Sequence, residues 1–565
     1  MSSGPVVECV PNFSEGRDVA VIEAITAAIR SAPGVSVLDV DRGEATHRTV
    51  VTFVGAPEAV LEGAFRGIAE AARRIDMRGH SGAHPRIGAT DVCPFVPVSG
   101  LTMEDCAALA RRLGARVGAE LGIPVYLYER AASRPERVNL AEIRAGEYEG
   151  LSAKLADPNW APDYGPAAPS EVTARSGATV IGARPFLIAY NVNLNTRHKG
   201  RANKIAALVR EKGIIRRDAQ GEMVRDEAGN VVRDPGLFQS VKGLGWFIEE
   251  YDRCQVSLNL TDHHKAPVHD VYDAIRRVAD EEGVVVTGSE LVGLIPGDAL
   301  LAAGHHYLRR QRLNPGAPHS EVIETAIRTL GLRELAPFEA DQRIIERRIA
   351  PDGPLVKKTV RAFADALSSS APAPGGGSVA ALCGALATSL AAMVAQLTTG
   401  KKGYEAVFAA QEKAALQAQA LKEAFLADID ADTRAFDGIM AAFALPKATE
   451  ADKAARGAAI QAATRHAIEV PLGVLLRCVA AVQAVEIALS GNSNARSDVG
   501  VAALTLRTAA EGAWYNVCIN AKDLSDDASV RAYRAQADAA LDEARSRAEA
   551  VSAAVRAELD GASRR

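Results

Sequence analysis

Near residue 355 the apolar periodicity of this chain changes, and no single packed layer accommodates both halves of the pattern. Upstream, short β-rich runs alternate with amphipathic helical segments; downstream, strand-like runs disappear and Ala, Leu, Lys and Glu fill long segments with a 3.6-residue period. The pattern predicts sheets and helices followed by an all-α bundle. Pro351, Gly353 and Pro354, in IAPDGPLVKK, separate the two compositions. A length of 565 residues agrees, because single cores stop growing near about 250 to 300 residues.

In the first part the predicted order is strand Val6–Val10, helix Arg17–Arg30, strands Val35–Val40 and Thr49–Val54, helix Pro57–Arg74 and a strand over Asp91–Val96. A helix over Thr102–Leu121 and a strand over Val125–Tyr128 extend this βαββαβ unit before PNWAPDYGPAAP breaks the period. The order then recurs: strand Phe186–Leu194, helix Arg201–Glu211, strands over Ser240–Phe247 and Cys254–Leu260, helix Val268–Asp280 and strand Val284–Thr287. The expected fold class is therefore α/β plus all-α: two ferredoxin-like α+β sandwich subdomains followed by a helical bundle domain. The charged DAQGEMVRDEAGNVVRD reads as an exposed hairpin within the second unit.

Apolar residues make up 48% of the chain and charged residues 24%, which is ordinary globular composition, and no stretch approaches about 18 uninterrupted apolar residues. The opening MSSGPVVECVPNF has no charged leader followed by an apolar run, so a soluble, cytoplasmic protein is expected. Seven cysteines without a CxxC pair argue against a zinc site and a disulfide framework alike. A net charge of −5 supplies no global field for nucleic acid, so an anionic ligand must be held by local basic groups.

In RGHSGAHPRIGATD, His80 and His84 are four residues apart, a spacing that pairs metal ligands on a helix. Gly79, Gly82, Pro85 and Gly88 oppose a helix there, which favours a loop histidine. Such a group titrates near neutrality and suits acid-base work, although a plain hydrogen-bonded loop histidine fits the same pattern. Asn12, in CVPNFSEG, and Asp39 and Asp41, in LDVDRG, sit at predicted strand ends, where polar residues either line sites or make turns and caps.

Together VVECVPNFSEG, VLDVD, RTVVTFVG, IDMRGHSGAHPRIGATDVCPFVPV, VYLYE, IRAGEYEGL, GARPFLIAYNVNL and SELVGLIP resemble the formiminotransferase domain over about residues 5 to 345. The resemblance implies a glutamate formimidoyltransferase acting on tetrahydrofolate, with His84 of the HPR string as the catalytic acid-base group and Asn12 and Asp41 as polar positions of the site. It also lays a folate-binding stretch on GPAAPSEVTARSG, giving Gly165, Pro166, Ala167, Ala168, Pro169, Ser170, Ser176 and Gly177 as candidate contacts. This stretch carries extra residues relative to the vertebrate-like pattern.

In KEAFLADIDADTRAFDGIMAAF, positions Phe425, Ile429, Asp432, Phe436, Ile439 and Phe443 form one helix face by their spacing. Asp428, Asp430 and Asp437 fall beside it and read as solvated charges. Asp432 falls within it and must be paired, hydrogen-bonded or raised in pKa, a functional carboxylate or a buried pair. SAPAPGGGSVAAL precedes an Ala-rich helix, as an anion-binding helix start or a linker with a Ser378 cap; Asn492, Asn494, Asp498, Tyr515 and Asn516 add amides and polar groups downstream. APGGGSVAA, DADTRAF, GNSNARSDV and YNVCIN together resemble the formiminotetrahydrofolate cyclodeaminase domain over 355–565, which implies a helical bundle with Asp432 catalytic.

The implied organisation is 1–182 and 183–346 as formiminotransferase subdomains, 347–354 as linker and 355–565 as cyclodeaminase domain. The implied partners are small molecules: formiminoglutamate, and tetrahydrofolate as co-substrate with or without a polyglutamate tail. No metal, nucleic acid or membrane is implied, and a homo-oligomer through the helical domain is expected. A methenyltetrahydrofolate cyclohydrolase in the helical half, or a folate-binding scaffold, would differ by releasing no ammonia or leaving formiminoglutamate unchanged.

Overall fold

The computed structural model describes residues 4–44, 46–82, 85–349 and 353–562. The chain divides into two compact units, Met1–Ala299 with Leu330–Ala350, and Leu300–Thr329 with Pro351–Arg565.

The first unit holds a seven-stranded sheet built from β1 (Val6–Cys9), β2 (Asn12–Phe13), β3 (Val35–Gly43), β4 (Arg48–Gly55), β5 (Thr90–Ser99), β6 (Val125–Glu129) and β7 (Thr179–Ala183). β1 and β2 share one position, each pairing antiparallel with β4 and with β5. β3 closes the sheet beyond β4, while β7 and β6 extend it in parallel from β5. The period of two sorts side chains between faces. Val7, Cys9, Val51, Phe53, Cys93 and Phe95 point into a core under helices Val19–Arg30, Pro57–Arg74 and Met103–Leu121. Their neighbours Glu8, Val50, Thr52, Val92 and Pro94 point to the opposite face, which lines a cleft.

The second sheet is antiparallel, in the order β11 (Val241–Ile248), β12 (Arg253–Leu260), β8 (Ile188–Leu194), β13 (Val286–Val292). β9 (Ile214–Ile215) and β10 (Arg233–Asp234) pair separately and carry the charged insertion, which folds back at the bridges Arg217↔Met223 and Arg225↔Val231 as the exposed ribbon expected from its turn residues. β7, the short buried run TVIGA beyond the Pro-rich break, has no counterpart in the sequence reading. Helices Gly297–Arg310 and His319–Leu330 follow the second sheet, beyond the elements expected from the sequence.

The second unit is helical. Gly376–Thr398, Phe408–Phe443, Glu450–Ala488, Arg496–Asn520 and Asp527–Ala562 surround a core in which alanines such as Ala381, Ala387, Ala418, Ala481, Ala502 and Ala509 are buried. Small side chains let helix axes approach closely. The same composition makes Gly376–Thr398 and Glu450–Ala488 apolar enough by length and mean hydropathy, 1.9 and 1.7, to cross a membrane. They are packed bundle helices, with 61% and 56% of those windows buried.

Candidate active sites

The cleft in the first unit is a cavity of about 850 Å³. One wall is the second face of the seven-stranded sheet, carrying Glu8, Asn12, Asp39, Asp41 and Arg48; Lys242, Asn259 and Lys265 face it from β11, β12 and the turn that follows β12. Asn12 and Asp41, singled out in the sequence, both line it. Asn12 Nδ2 donates to the Val10 carbonyl at 3.1 Å.

The carboxyls on this wall are held where they can change protonation. Burial pushes Glu8 up to about 7, against the pull of the Arg184 guanidinium. Burial raises Asp39 against Arg343 and Arg348, and raises Asp41 with help from Asp39 and against Arg48. Carboxyls interleaved with guanidinium and ammonium groups give a cleft that can take an anionic ligand and move protons near neutrality. Glu8 was legible only as a charge inside the apolar run VVECV.

His84 and its neighbour Ala83 lie outside the described residues. The segments on either side are firmly held. His80 stacks on His47, ring centroids 4.2 Å apart and planes within 11°. Arg86 Nε donates to His80 Nδ1 at 3.2 Å, so the proton of the neutral ring sits on Nε2 and meets the His47 carbonyl at 3.0 Å. Both nitrogens of His80 are thereby committed, which argues against its pairing with His84 as a metal ligand. Burial also lowers its pKa. His47 Nδ1 lies 2.9 Å from the Ser81 carbonyl and Nε2 lies 3.1 Å from Glu15. Arg86 grips Glu149 through both terminal nitrogens, at 2.8 and 2.6 Å, and Glu147 at 3.0 Å. A Cβ at Gly82 would meet the Thr46 carbonyl at 2.6 Å, so only glycine permits this approach. Pro85 lines the cleft. His47 and Arg86 were not singled out in the sequence; an arginine beside a loop histidine was the available signal for Arg86, and His47 had none.

The proposed folate stretch lies elsewhere. None of Gly165, Pro166, Ala167, Ala168, Pro169, Ser170, Ser176 and Gly177 lines the cavity. Gly165 (φ +81°) turns the chain, Ser170 caps helix Glu171–Ser176 through Thr173, and the Ser176 carbonyl accepts the Ala89 N–H at 2.8 Å. Gly177 (φ +67°) presses on Gly88, where a Cβ would sit 2.3 Å from the Ile87 carbonyl. This segment is fastened to the backbone that follows the histidine loop.

In the helical unit, Asp432 stands on helix Phe408–Phe443 with Oδ2 accepting the Ser378 N–H at 2.8 Å and lying 3.1 Å from Ser378 Oγ, whose one proton also faces the Ile429 carbonyl at 2.8 Å. Ser378 lies in the first turn of helix Gly376–Thr398, where the helix dipole favours an anion. A Cβ at Gly377 would fall 2.0 Å from Asp432 Oδ1, so the contact requires glycine there. Asp432 is half-buried; burial raises its pKa, opposed by Ser378.

Asp428 and Asp430 correct the sequence reading, since both are buried, at 8% and 3% exposure, rather than solvated. A single apolar stripe describes a helix covered on one side, and this helix packs between Gly376–Thr398 and Glu450–Ala488. Asp430 accepts the N–H groups of Leu355 and Val356 at 2.9 and 3.1 Å, closing the turn at Gly353. Asp428 lies one turn from Asp432 and 2.9 Å from Arg477 Nη1; burial pushes it up to about 6, with Arg477 pulling down and Asp432 adding. Asp437 is exposed as expected.

Asn516, in YNVCIN, lies beside Gly376, at the Asp432 end of helix Gly376–Thr398. GNSNARSDV lies at the other end. The Asn492 N–H donates to Thr398 Oγ1 at 2.9 Å and Asn492 Nδ2 to the Leu397 carbonyl at 3.2 Å, while Lys401 binds Asn492 Oδ1. A helix of 23 residues separates the two clusters by roughly 30 Å.

The two packed units thus each hold a polar constellation: a cleft lined by buried carboxyls and basic groups, and a half-buried carboxylate in a helical bundle. Residues 6–184 match the formiminotransferase domain, N-terminal subdomain, residues 189–350 the formiminotransferase domain, and residues 359–539 the formiminotransferase-cyclodeaminase model. The formimidoyltransferase-cyclodeaminase of Rattus norvegicus is 42% identical over 549 residues, covering 96% of this chain and 97% of that one. A glutamate formimidoyltransferase of Thermoplasma acidophilum is 44% identical over 55% of this chain and 95% of its own, and a methenyltetrahydrofolate cyclohydrolase of Methylorubrum extorquens 42% identical over 30% and 83%. The chain belongs to the formimidoyltransferase-cyclodeaminase family.

Proposed function

We propose that this chain is a bifunctional folate enzyme of histidine degradation, moving the formimino group of N-formimino-L-glutamate to tetrahydrofolate and then closing 5-formiminotetrahydrofolate to 5,10-methenyltetrahydrofolate with loss of ammonia. The activities of its relatives support both steps. In the first, folate N5 attacks the formimino carbon; N5 must lose a proton and the departing glutamate nitrogen must gain one, and His84 carries both transfers. Asn12 and Asp41 orient the reactants from the cleft wall, and Gly165–Gly177 holds part of the folate beside the histidine loop. In the second, N10 attacks the same carbon, its proton passes to Asp432, and the acid returns it to the amino group that leaves as ammonia.

The observation that carries the reading is the Asp432 carboxylate, half-buried, raised in pKa and fixed by Ser378. Supplying formiminoglutamate and tetrahydrofolate should yield glutamate, methenyl-folate and ammonia in equal amounts. Methenyl-folate hydrolysis without ammonia release would replace the second activity by a cyclohydrolase, the reading that the Methylorubrum extorquens relative keeps open.

Strand order supports two ferredoxin-like subdomains. Numbering the strands of each βαββαβ unit in turn, both sheets run second, third, first, fourth, with β7 and β6 added to the first. The enzyme works in the cytoplasm as a homo-oligomer. Leu386, Leu397, Val501, Leu504 and Ile519 are about half exposed on helices Gly376–Thr398 and Arg496–Asn520, as a bundle that pairs with a second copy would leave them. Antiparallel pairing about a two-fold axis would also bring the GNSNARSDV end of each copy to the Asp432 end of the other.

A further inference from the structure

Outside both sites, the turn after β12 places His263 and His264 against Asp298. His263 Nε2 lies 3.2 Å from Asp298 Oδ1 and 3.3 Å from Oδ2, and His264 Nε2 lies 3.9 Å from Oδ2. The three ligand atoms all fall within 4.8 Å of one another. The two rings are 4.1 Å apart and tilted by 38°, so they converge on one point without stacking flat. The Asp262 carboxylate accepts the His264 N–H at 3.1 Å, which fixes the turn, and the Asp298 backbone is fixed by the start of helix Gly297–Arg310.

We propose that His263, His264 and Asp298 form a binding site for a divalent cation of the imidazole-preferring class, with zinc the best fit. Two imidazole nitrogens and one carboxylate oxygen are a borderline ligand set, unsuited to magnesium or calcium. Bonds of about 2.0 to 2.1 Å in tetrahedral geometry put ligand atoms about 3.3 Å apart. The His263 to Asp298 spacing already meets that figure, and His264 needs only a small rotation, which its 74% exposed side chain allows. Asp298 is 57% exposed, so the remaining position opens to water. The fully protein-bound alternative, a histidine and carboxylate ion pair, uses only one of the two histidines well. Asp262 and Lys265 of the same turn line the cleft, so the ion ties the cleft rim to the start of the following helix while taking no part in either transfer step.

Calorimetric titration of the metal-stripped full chain with Zn²⁺ tests the site. One equivalent should bind at about pH 7.5. The bound ion should raise the Tm by a few degrees. His264→Ala and Asp298→Asn should each weaken binding at least about tenfold while folding normally, since both side chains are exposed. No saturable binding, or binding that both variants leave intact, overturns the proposal.

Discussion

A carboxylate that shares a helix face with Phe425 and Ile429 must be discharged or held by donors, and Asp432 is held by the Ser378 N–H, with the Ser378 hydroxyl shared between it and the Ile429 carbonyl. Asp432→Asn keeps the size and one acceptor but ends proton transfer. It should stop ammonia release while leaving formimino transfer and the fold intact, as steady-state assays of the two products will report. Asp430→Asn should retain ammonia release. Asp430→Ala strands two buried N–H groups and should lower stability by about 1 to 3 kcal/mol in denaturant titration. Asp428 behaves differently. Its folded pKa, about 6, lies above the ordinary 3.8, so the folded state holds a proton that the unfolded chain has released. That contribution is fully present below about pH 4 and is lost as pH rises to about 6, amounting to at most about 3 kcal/mol. Asp428→Asn should therefore gain stability relative to the parent as pH climbs through that window. A difference that is flat with pH would show that Asp428 is charged throughout. Periodicity isolated Asp432 and missed its two neighbours for one reason: one stripe records one packing surface, and this helix has more.

Glycines in APGGGS are read from sequence as flexibility, yet Gly377 is fixed by a close approach. A methyl there would meet Asp432 Oδ1 at 2.0 Å, and the acceptor would have to swing away from Ser378. Gly377→Ala should cut ammonia release by about a hundredfold or more, an estimate for misplacing a reacting group by about 1 Å. Formimino transfer should be unchanged in the same preparation, and circular dichroism should show an intact helical signal. Helices Pro57–Arg74 and Met103–Leu121 were legible from their 3.6-residue period, and β1 and β4 from their apolar, β-branched runs, all within a few residues of expectation. The five-residue β7 was not, because TVIGA is short, carries a glycine and follows the Pro-rich break, so no run stands out there. The His47 and His80 stack was not legible either, since it joins a β4 approach to a loop 33 residues away and leaves no local pattern.

Two units that pack separately should also fail separately. His84→Ala is expected to abolish formimino transfer while the helical unit still releases ammonia from supplied 5-formiminotetrahydrofolate; loss of both activities in a folded variant would refute that independence. The helical unit raises a further question of completeness. Ser378, Asp432 and Asn516 gather at one end of helix Gly376–Thr398, and Lys401, Tyr404 and Asn492 gather at the other, roughly 30 Å away. If both clusters serve one folate, the second must come from another copy. Asp432→Asn and Lys401→Ala should then each be inactive in ammonia release when alone. Refolded together in equal amounts as two-fold dimers, half of the dimers are mixed, and each mixed dimer holds one site with both lesions and one with neither. About a quarter of the parental ammonia release should return, and it should rise with the fraction of mixed dimers isolated by differential tagging. A mixture that stays inactive, or a Lys401→Ala variant that is active by itself, would confine the site to a single chain.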